Sequence, residues 1–569
     1  MKPRLIILST AASLMLCACA QNAPVASVGA PAPHLEKRGE VTQLIVEGEP
    51  FLALAGELKN SSSSSREYMA PLWAPLKAAG LNTVIAPLSW EQIEPAEGEF
   101  DFRNVDALIE DARSNDLKLV FLWLASWKNG ISSYEPVWVK EDTERFPLAK
   151  TPEGKSLPIL CTLGEQTAEA DAAAFAALMK HIGEVDAASQ TVIMMQMQNE
   201  VGLHGHTKDY NPLAVEAFAG PVPEKLVSYL SDNYDRLIPE MKAAWDKGGK
   251  KTSGSWEEVF GKGDYTDELF MAWNYASFME KVSAAGKAEY DIPIYTNAWI
   301  VQPEDKHPGN YPSGGPQAQN HDVWRAAAPH IDILSPDIYL DDYPSIIRMY
   351  ARAGNPVFVP ESRAGQGGAA NAAFTFGEMG GIGYSPFGIE NLVGDGSDLF
   401  CQFYKAVGSY ADVLLEAQAE GRVAGVWVKG SSPAIYKDER VMGDVKVCCE
   451  LISSGWRNGG APQLTGGSYS PDAQGYAIII REDDGFLILG SNIRVVFRPA
   501  EGDEIVGIAK MTEGYFADGQ WVERRWLNGD EIQLRYDILS AVDEGLSGQG
   551  LNFGSPAPQF MKVQLFRYQ

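Results

Sequence analysis

The chain has 569 residues, 45% of them hydrophobic, and its 75 Asp and Glu against 47 Lys and Arg give a formal net charge of −28. That length exceeds what one hydrophobic core organises, so one large domain and at least one smaller one are expected. A surface this acidic repels polyphosphate and argues against nucleic acid as a partner.

The first residues, MKPRLIILSTAASLMLCAC, set Lys2 and Arg4 ahead of an apolar run from Leu5 to Leu16. The run is short for a membrane span and reads as an export signal. Its end, Leu16-Cys17-Ala18-Cys19, resembles the lipobox of lipoproteins, which implies removal of residues 1–19 as a signal peptide up to Cys19, lipidation of Cys19, and a periplasmic or outer-membrane-anchored protein. An ordinary signal peptide cleaved nearby is the alternative. Residues 20–40, rich in Ala, Pro and Val, read as a flexible tether. Cys161, Cys401, Cys448 and Cys449 remain, and an oxidising compartment permits disulfides among them without the sequence assigning pairs.

From residue 50 onward short apolar runs alternate with helical patterns, as in βα units around a parallel sheet. The predicted strands cover 50–58, 81–90, 117–127, 191–200, 292–299, 331–339, 356–362 and 381–390. Eight is the number that closes a (β/α)8 TIM barrel, here assigned to residues 41–455. The run Ser61 to Ser65 falls in the first βα loop and reads as a mobile, solvated segment, with a lid as the alternative. Between strands two and three, Val105, Leu108, Ile109 and Ala112 recur at helical spacing behind Asn104 as a cap. About 90 residues separate strands four and five, so extra helices are expected there, among them a long amphipathic pattern from Glu224 to Trp245. From residue 456 to 569, β-rich pieces are separated by Gly, Asp and Asn turns, which predicts a C-terminal β-sandwich. It serves either as a wedge against the barrel or as a sugar-binding module.

Within this frame the stretch TVIMMQMQNE is an oily strand that ends in Glu200, and PVFVPES ends strand seven with Glu361. The bland reading is that each acid is the first solvated residue past its strand. At the C-terminal face of a barrel, however, strand ends carry the active site. Glycoside hydrolysis needs two such carboxylates, one to protonate the leaving oxygen and one to attack the anomeric carbon or activate water. Asn199, beside the acid, suits a bond to a sugar hydroxyl.

Three motifs carry a resemblance to the clan of retaining glycosidases, and within it to glycoside hydrolase family 35, the β-galactosidases. Trp90-Glu91-Gln92-Ile93-Glu94-Pro95 with Gly98 and Phe100-Asp101-Phe102 is similar to that family's pattern after strand two. Gln196-Met197-Gln198-Asn199-Glu200-Val201-Gly202 resembles its acid/base motif, and Ala125-Ser126-Trp127, Gly130 and Pro136-Val137-Trp138 its segment after strand three. Family 42 galactosidases share the strand-two and strand-four motifs. The chain departs from the family at Ser126, where an acid is usual, at Val201, where Tyr is usual, and at Gly56-Glu57-Leu58, where His-Tyr is missing.

The resemblance implies a retaining, exo-acting β-galactosidase on oligo- or polysaccharides, with Glu200 as acid/base and Glu361 as nucleophile. Their carboxyl groups are then expected about 5 to 5.5 Å apart. Tyr339 is placed to hydrogen-bond Glu361, and Glu57 to supply the carboxylate missing at Ser126. Asn199, Ser126, Asn297, Trp90, Trp127, Trp299 and Tyr384 are the remaining candidates for sugar contact, although Trp and Tyr also fill cores. Another retaining β-glycosidase, an endo-glycanase, or a non-catalytic glycan-binding lipoprotein are the alternatives. No metal or cofactor is expected: His204 and His206 form the nearest approach to a ligand pair, and no nucleotide-binding glycine pattern stands at a strand-helix junction.

Overall fold

A computed structural model describes residues 30–394, 396–430, 437–452, 473–528, 531–532 and 549–569. The export signal and Cys19 lie outside the described residues. Strands Ala53–Glu57, Thr83–Ser89, Lys118–Lys128, Val192–Asn199, Ile294–Trp299, Ile333–Ile338, Phe358–Ser362 and Gly383–Pro386 close a parallel barrel in sequence order, so all eight predicted strands form. Their nearly unbroken burial explains the oily runs, since helices cover the outside and side chains fill the inside.

The barrel floor is closed by a three-stranded antiparallel sheet, His34–Arg38, Val41–Val46 and Glu49–Phe51. Its Leu44 and Val46 pack with Ala53, Ile193, Ile333 and Phe358 from the starts of barrel strands. The expected tether therefore does not run to residue 40, because His34–Arg38 is already paired.

Local expectations fail where side-chain bonding or proline intervenes. The helix Arg103–Ser114 buries Val105, Leu108, Ile109 and Ala112 as expected, but it begins one residue before Asn104, whose amide donates to the Ser63 carbonyl at 2.8 Å instead of capping. Pro239, fit for a first turn and not for an interior, divides the long amphipathic pattern into Glu224–Asp232 and Pro239–Lys247. Nor is the serine run a solvated loop throughout. Ser62 and Ser63 are buried in a turn of 3-10 helix, the Ser62 hydroxyl donates to Glu390 at 2.6 Å, and that of Ser63 to the Pro87 carbonyl at 2.5 Å.

The C-terminal region is a sandwich of a six-stranded and a four-stranded sheet. It starts earlier than residue 456: Val423–Lys429 pairs with Gln474–Glu482, and Lys437–Met442 and Val445–Leu451 belong to the smaller sheet. Alternation along Val423–Lys429 explains its two duties, for Val426 and Val428 enter the sandwich core while Trp427 joins the barrel's core. The Trp427 indole donates to Asn371 on the barrel helix Gly365–Gly377 at 3.0 Å. That helix meets the strand so closely that a Cβ on Gly377 would lie 2.8 Å from the Gly425 Cα. The sandwich thus packs directly against the barrel.

Candidate active site

Side chains of a strand alternate, so the inward row of each barrel strand can be followed from floor to mouth. On the first strand that row is Ala53, Ala55, Glu57; on the fifth, Tyr295, Asn297; on the sixth, Ile333, Ser335, Asp337. Apolar residues fill the lower layers and polar ones the top. Asp337 pairs in register with Glu361 on the adjacent strand, which sets their Cα atoms about one strand spacing, ~4.8 Å, apart. The side chains of Asp337 and Glu200 also interact, so Asp337 stands in register with one predicted catalytic acid and beside the other.

Neutral donors and acceptors hold these acids. Asn297 accepts from the Glu200 backbone N–H at 2.9 Å, and its amide donates to Asp337 at 2.7 Å and to the Asn199 side chain at 3.0 Å. Asn199 and Asn297 are themselves fully buried, so they aim the acids and present little surface of their own. The Tyr339 hydroxyl donates to Glu361 at 2.6 Å, as expected. Glu57 is fully buried, neither carboxylate oxygen has a hydrogen-bond partner among the described residues, and its charge acts on the same group.

Burial is the first cause of every shift in this cluster. It raises Glu200 to about 7, with the negative charge of Glu361 adding to the rise. Glu57 and Asp337 are held well above the usual carboxylate range by burial and by the charge of Glu361. Glu361 is raised by burial too, but the Tyr339 hydrogen bond and the positive charge of Lys128 work against it. Lys128 also lowers Glu57 and Glu200. The result is one acid that holds its proton near neutrality beside another whose anion is supported.

The acid/base motif is also conformationally strained. Gln198 and Glu200 take φ of 55° and 47°, in the left-handed region that costs a non-glycine residue roughly 1–2 kcal/mol. Gln198 is locked by its own amide: Oε1 accepts from the N–H of Ala125 and of Trp127, both at 3.1 Å, and Nε2 donates to Asp171 at 2.8 Å.

That lock belongs to an irregularity between Trp123 and Lys128 that overturns the expectation for Ser126. The register shift turns Ser126 out of the barrel, where its hydroxyl donates to Asp171 at 2.6 Å on the helix Glu165–Asp186. Trp127 continues the outward row of Leu119, Phe121 and Trp123, fully buried against Tyr275 and Phe278, its indole donating to the Leu160 carbonyl. Trp90 is likewise consumed by packing on Trp138 and a bond to Glu94. Tyr384 donates to Ser362 and to the Arg363 carbonyl, fully buried, behind the mouth. None of these four has a free face for sugar. Trp299 is half-buried, its ring 5.7 Å from that of His204. Asp337, Lys128 and Gln198 were missed by the sequence reading, although the inward row Ile333, Ser335, Asp337 of strand six is a signal that could have found Asp337.

Beside the acids lies a cleft of about 1570 Å³ that reaches the site at Tyr339.

A family model described as "Beta-galactosidase", that of glycoside hydrolase family 42, matches residues 63–345, and a second, described as "Domain of unknown function (DUF5597)", matches residues 400–538. A β-galactosidase of Xanthomonas manihotis is 25% identical over 207 residues, covering 34% of this chain and 31% of that protein; the chain thus matches about a third of this relative's length. Among solved structures, a β-galactosidase from Bacillus circulans sp. alkalophilus aligns at 14% identity over 64% of this chain and 57% of its own, TM-score 0.44. The catalytic domain of a β-amylase from Paenibacillus polymyxa aligns at 14% over 62% and 96%, TM-score 0.43. The resemblance to family 35 is corrected at the level of the family, because the matching model is that of family 42. The barrel is thus similar to that of the glycoside hydrolases, with family 42 the family indicated.

Proposed function

We propose that the protein is a retaining β-galactosidase that removes terminal β-galactosyl residues from oligo- or polysaccharides. The observation that carries the mechanism is the pairing at one barrel mouth of Glu200, raised to about 7, with Glu361, whose carboxylate accepts the Tyr339 hydroxyl at 2.6 Å. Glu361 attacks the anomeric carbon while Glu200 gives its proton to the departing oxygen. Glu200, now a carboxylate, then takes a proton from the water that cleaves the glycosyl-enzyme, and configuration is retained. Glu57, fully buried, acts on the acids through its charge and not by touching the sugar. The galactose specificity is supported by the description of the matching family model and by the named relative.

The test is hydrolysis of an aryl β-galactoside with NMR assignment of the first-formed anomer. β-Galactose first, and a Glu361→Gln variant that keeps its melting temperature yet loses at least 10³-fold in kcat, are expected. α-Galactose first, or a variant with substantial turnover, refutes the roles. We further propose an exported protein lipidated at Cys19, checked by incorporation of labelled palmitate that Cys19→Ala abolishes.

A further inference from the structure

We propose that the cleft beside the acids binds the leaving-group side of the substrate, and that this part is a neutral oligosaccharide of several sugar units. The inference rests on the galactosidase reading above and names the kind of galactoside that site is built for.

Position is the first ground. Tyr339 belongs to both places: its hydroxyl donates to Glu361, and its ring, 41% exposed, forms part of the cleft wall. Arg363, two residues past Glu361, lines the cleft as well. The other walls come from segments after barrel strands four, five and six, which lie between strand four, bearing Glu200, and strand seven, bearing Glu361. A leaving group departs on the side of the acid that protonates it, so it emerges toward these segments.

Size and chemistry are the second ground. A cleft of about 1570 Å³ exceeds the ~300–1,000 Å³ that suits a drug-sized ligand, and a lone aryl or glucosyl aglycone leaves most of it empty. Its lining alternates apolar surface from Tyr339, Pro308 and Met349 with charged groups, a pattern that fits the C–H faces and hydroxyls of sugars. Those charges are matched within the lining, where Lys247, Lys262, Lys306, Arg352 and Arg363 stand against Glu240, Asp264, Glu268, Asp341 and Asp342; Arg352 pairs with Glu240 at 3.0 Å and Arg363 with Asp341 at 3.3 Å. A cleft for uronates or phosphates calls for unopposed cations. Paired ones favour an uncharged occupant.

The experiment compares kcat/KM for a neutral heptasaccharide bearing one terminal β-galactose with that for 4-nitrophenyl β-galactoside, in the full chain and in Met349→Trp and Gln302→Trp. Both substitutions place an indole in the cleft, from the sixth-strand and fifth-strand sides. The full chain is expected to favour the heptasaccharide, and the ratio of the two constants to fall at least tenfold in one or both variants. A preference for the aryl galactoside, or a ratio unchanged in both variants, overturns the cleft proposal and leaves the galactosidase reading standing. Turnover of neither substrate overturns both.

Discussion

At the scale of single residues the site is a problem in charge. Four acids, Glu57, Glu200, Asp337 and Glu361, are almost fully buried at one mouth, and the cation that acts on three of them is Lys128. An opposite charge favours the ionised form, so Lys128 holds Glu361 and Glu200 lower than burial alone leaves them. In a bell-shaped profile of kcat/KM the acidic limb reports the nucleophile and the basic limb the acid. Replacing Lys128 with Met raises both, so both limbs move to higher pH: activity at pH 5.5 drops relative to the optimum, and activity at pH 8 gains. A pH series on aryl galactoside reads this directly, and limbs that stay in place remove Lys128 from the electrostatics of the site. The two catalytic candidates were legible in sequence because an acid closing an oily strand is conspicuous. Lys128 was not, since a Lys just past a strand looks like any solvated end.

Elements were legible to the extent that their pattern is local. Eight apolar runs sufficed for the barrel, because each strand is buried on both faces whatever its neighbours are. Irregularities inside an element were not legible. Ser126 follows the inward row of Val120, Leu122 and Leu124 only if the third strand is regular, and the shift between Trp123 and Lys128 turns it outward, whereas Trp127 stays in the outward row of Leu119, Phe121 and Trp123. The cause is a side chain on another strand: Gln198 accepts from the Ala125 and Trp127 N–H groups. Gln198→Ala leaves two buried donors without a partner, a cost of roughly 2–5 kcal/mol. It also frees the left-handed turn that aims Glu200, and a misplacement of about 1 Å costs on the order of 100-fold in rate. Chemical denaturation and kcat should therefore fall together. A variant that loses stability but keeps kcat shows that the turn is held by other contacts.

For the whole molecule, buried carboxyls beyond the site make stability depend on pH. Glu268, on the helix Asp264–Glu289, is 1% exposed; its Oε1 accepts from Tyr311, Gln319 and Asn320 at 3.0–3.1 Å, and burial pushes it up to about 7. Asp171, behind the third strand, is pushed up to about 6 by the same cause. A carboxyl whose folded value lies above its unfolded one binds its proton more tightly when folded. Its contribution is complete below the unfolded value near 4.5 and is lost as pH rises through about 7. His321 acts in the opposite direction, because burial keeps it neutral and acidification below about 6.5 favours the unfolded chain. A melting curve of the protein alone therefore mixes the two signs. Comparison with Glu268→Gln separates them, since His321 and Asp171 are common to both proteins and the amide keeps the acceptor oxygen. The stability of the parent relative to this variant should grow by roughly 2–3 kcal/mol between pH 8 and pH 5, as read by calorimetry or denaturant titration at each pH. A difference that does not change with pH means that Glu268 is ionised in the folded protein, and the helix then holds a buried charge that its three hydrogen bonds must compensate.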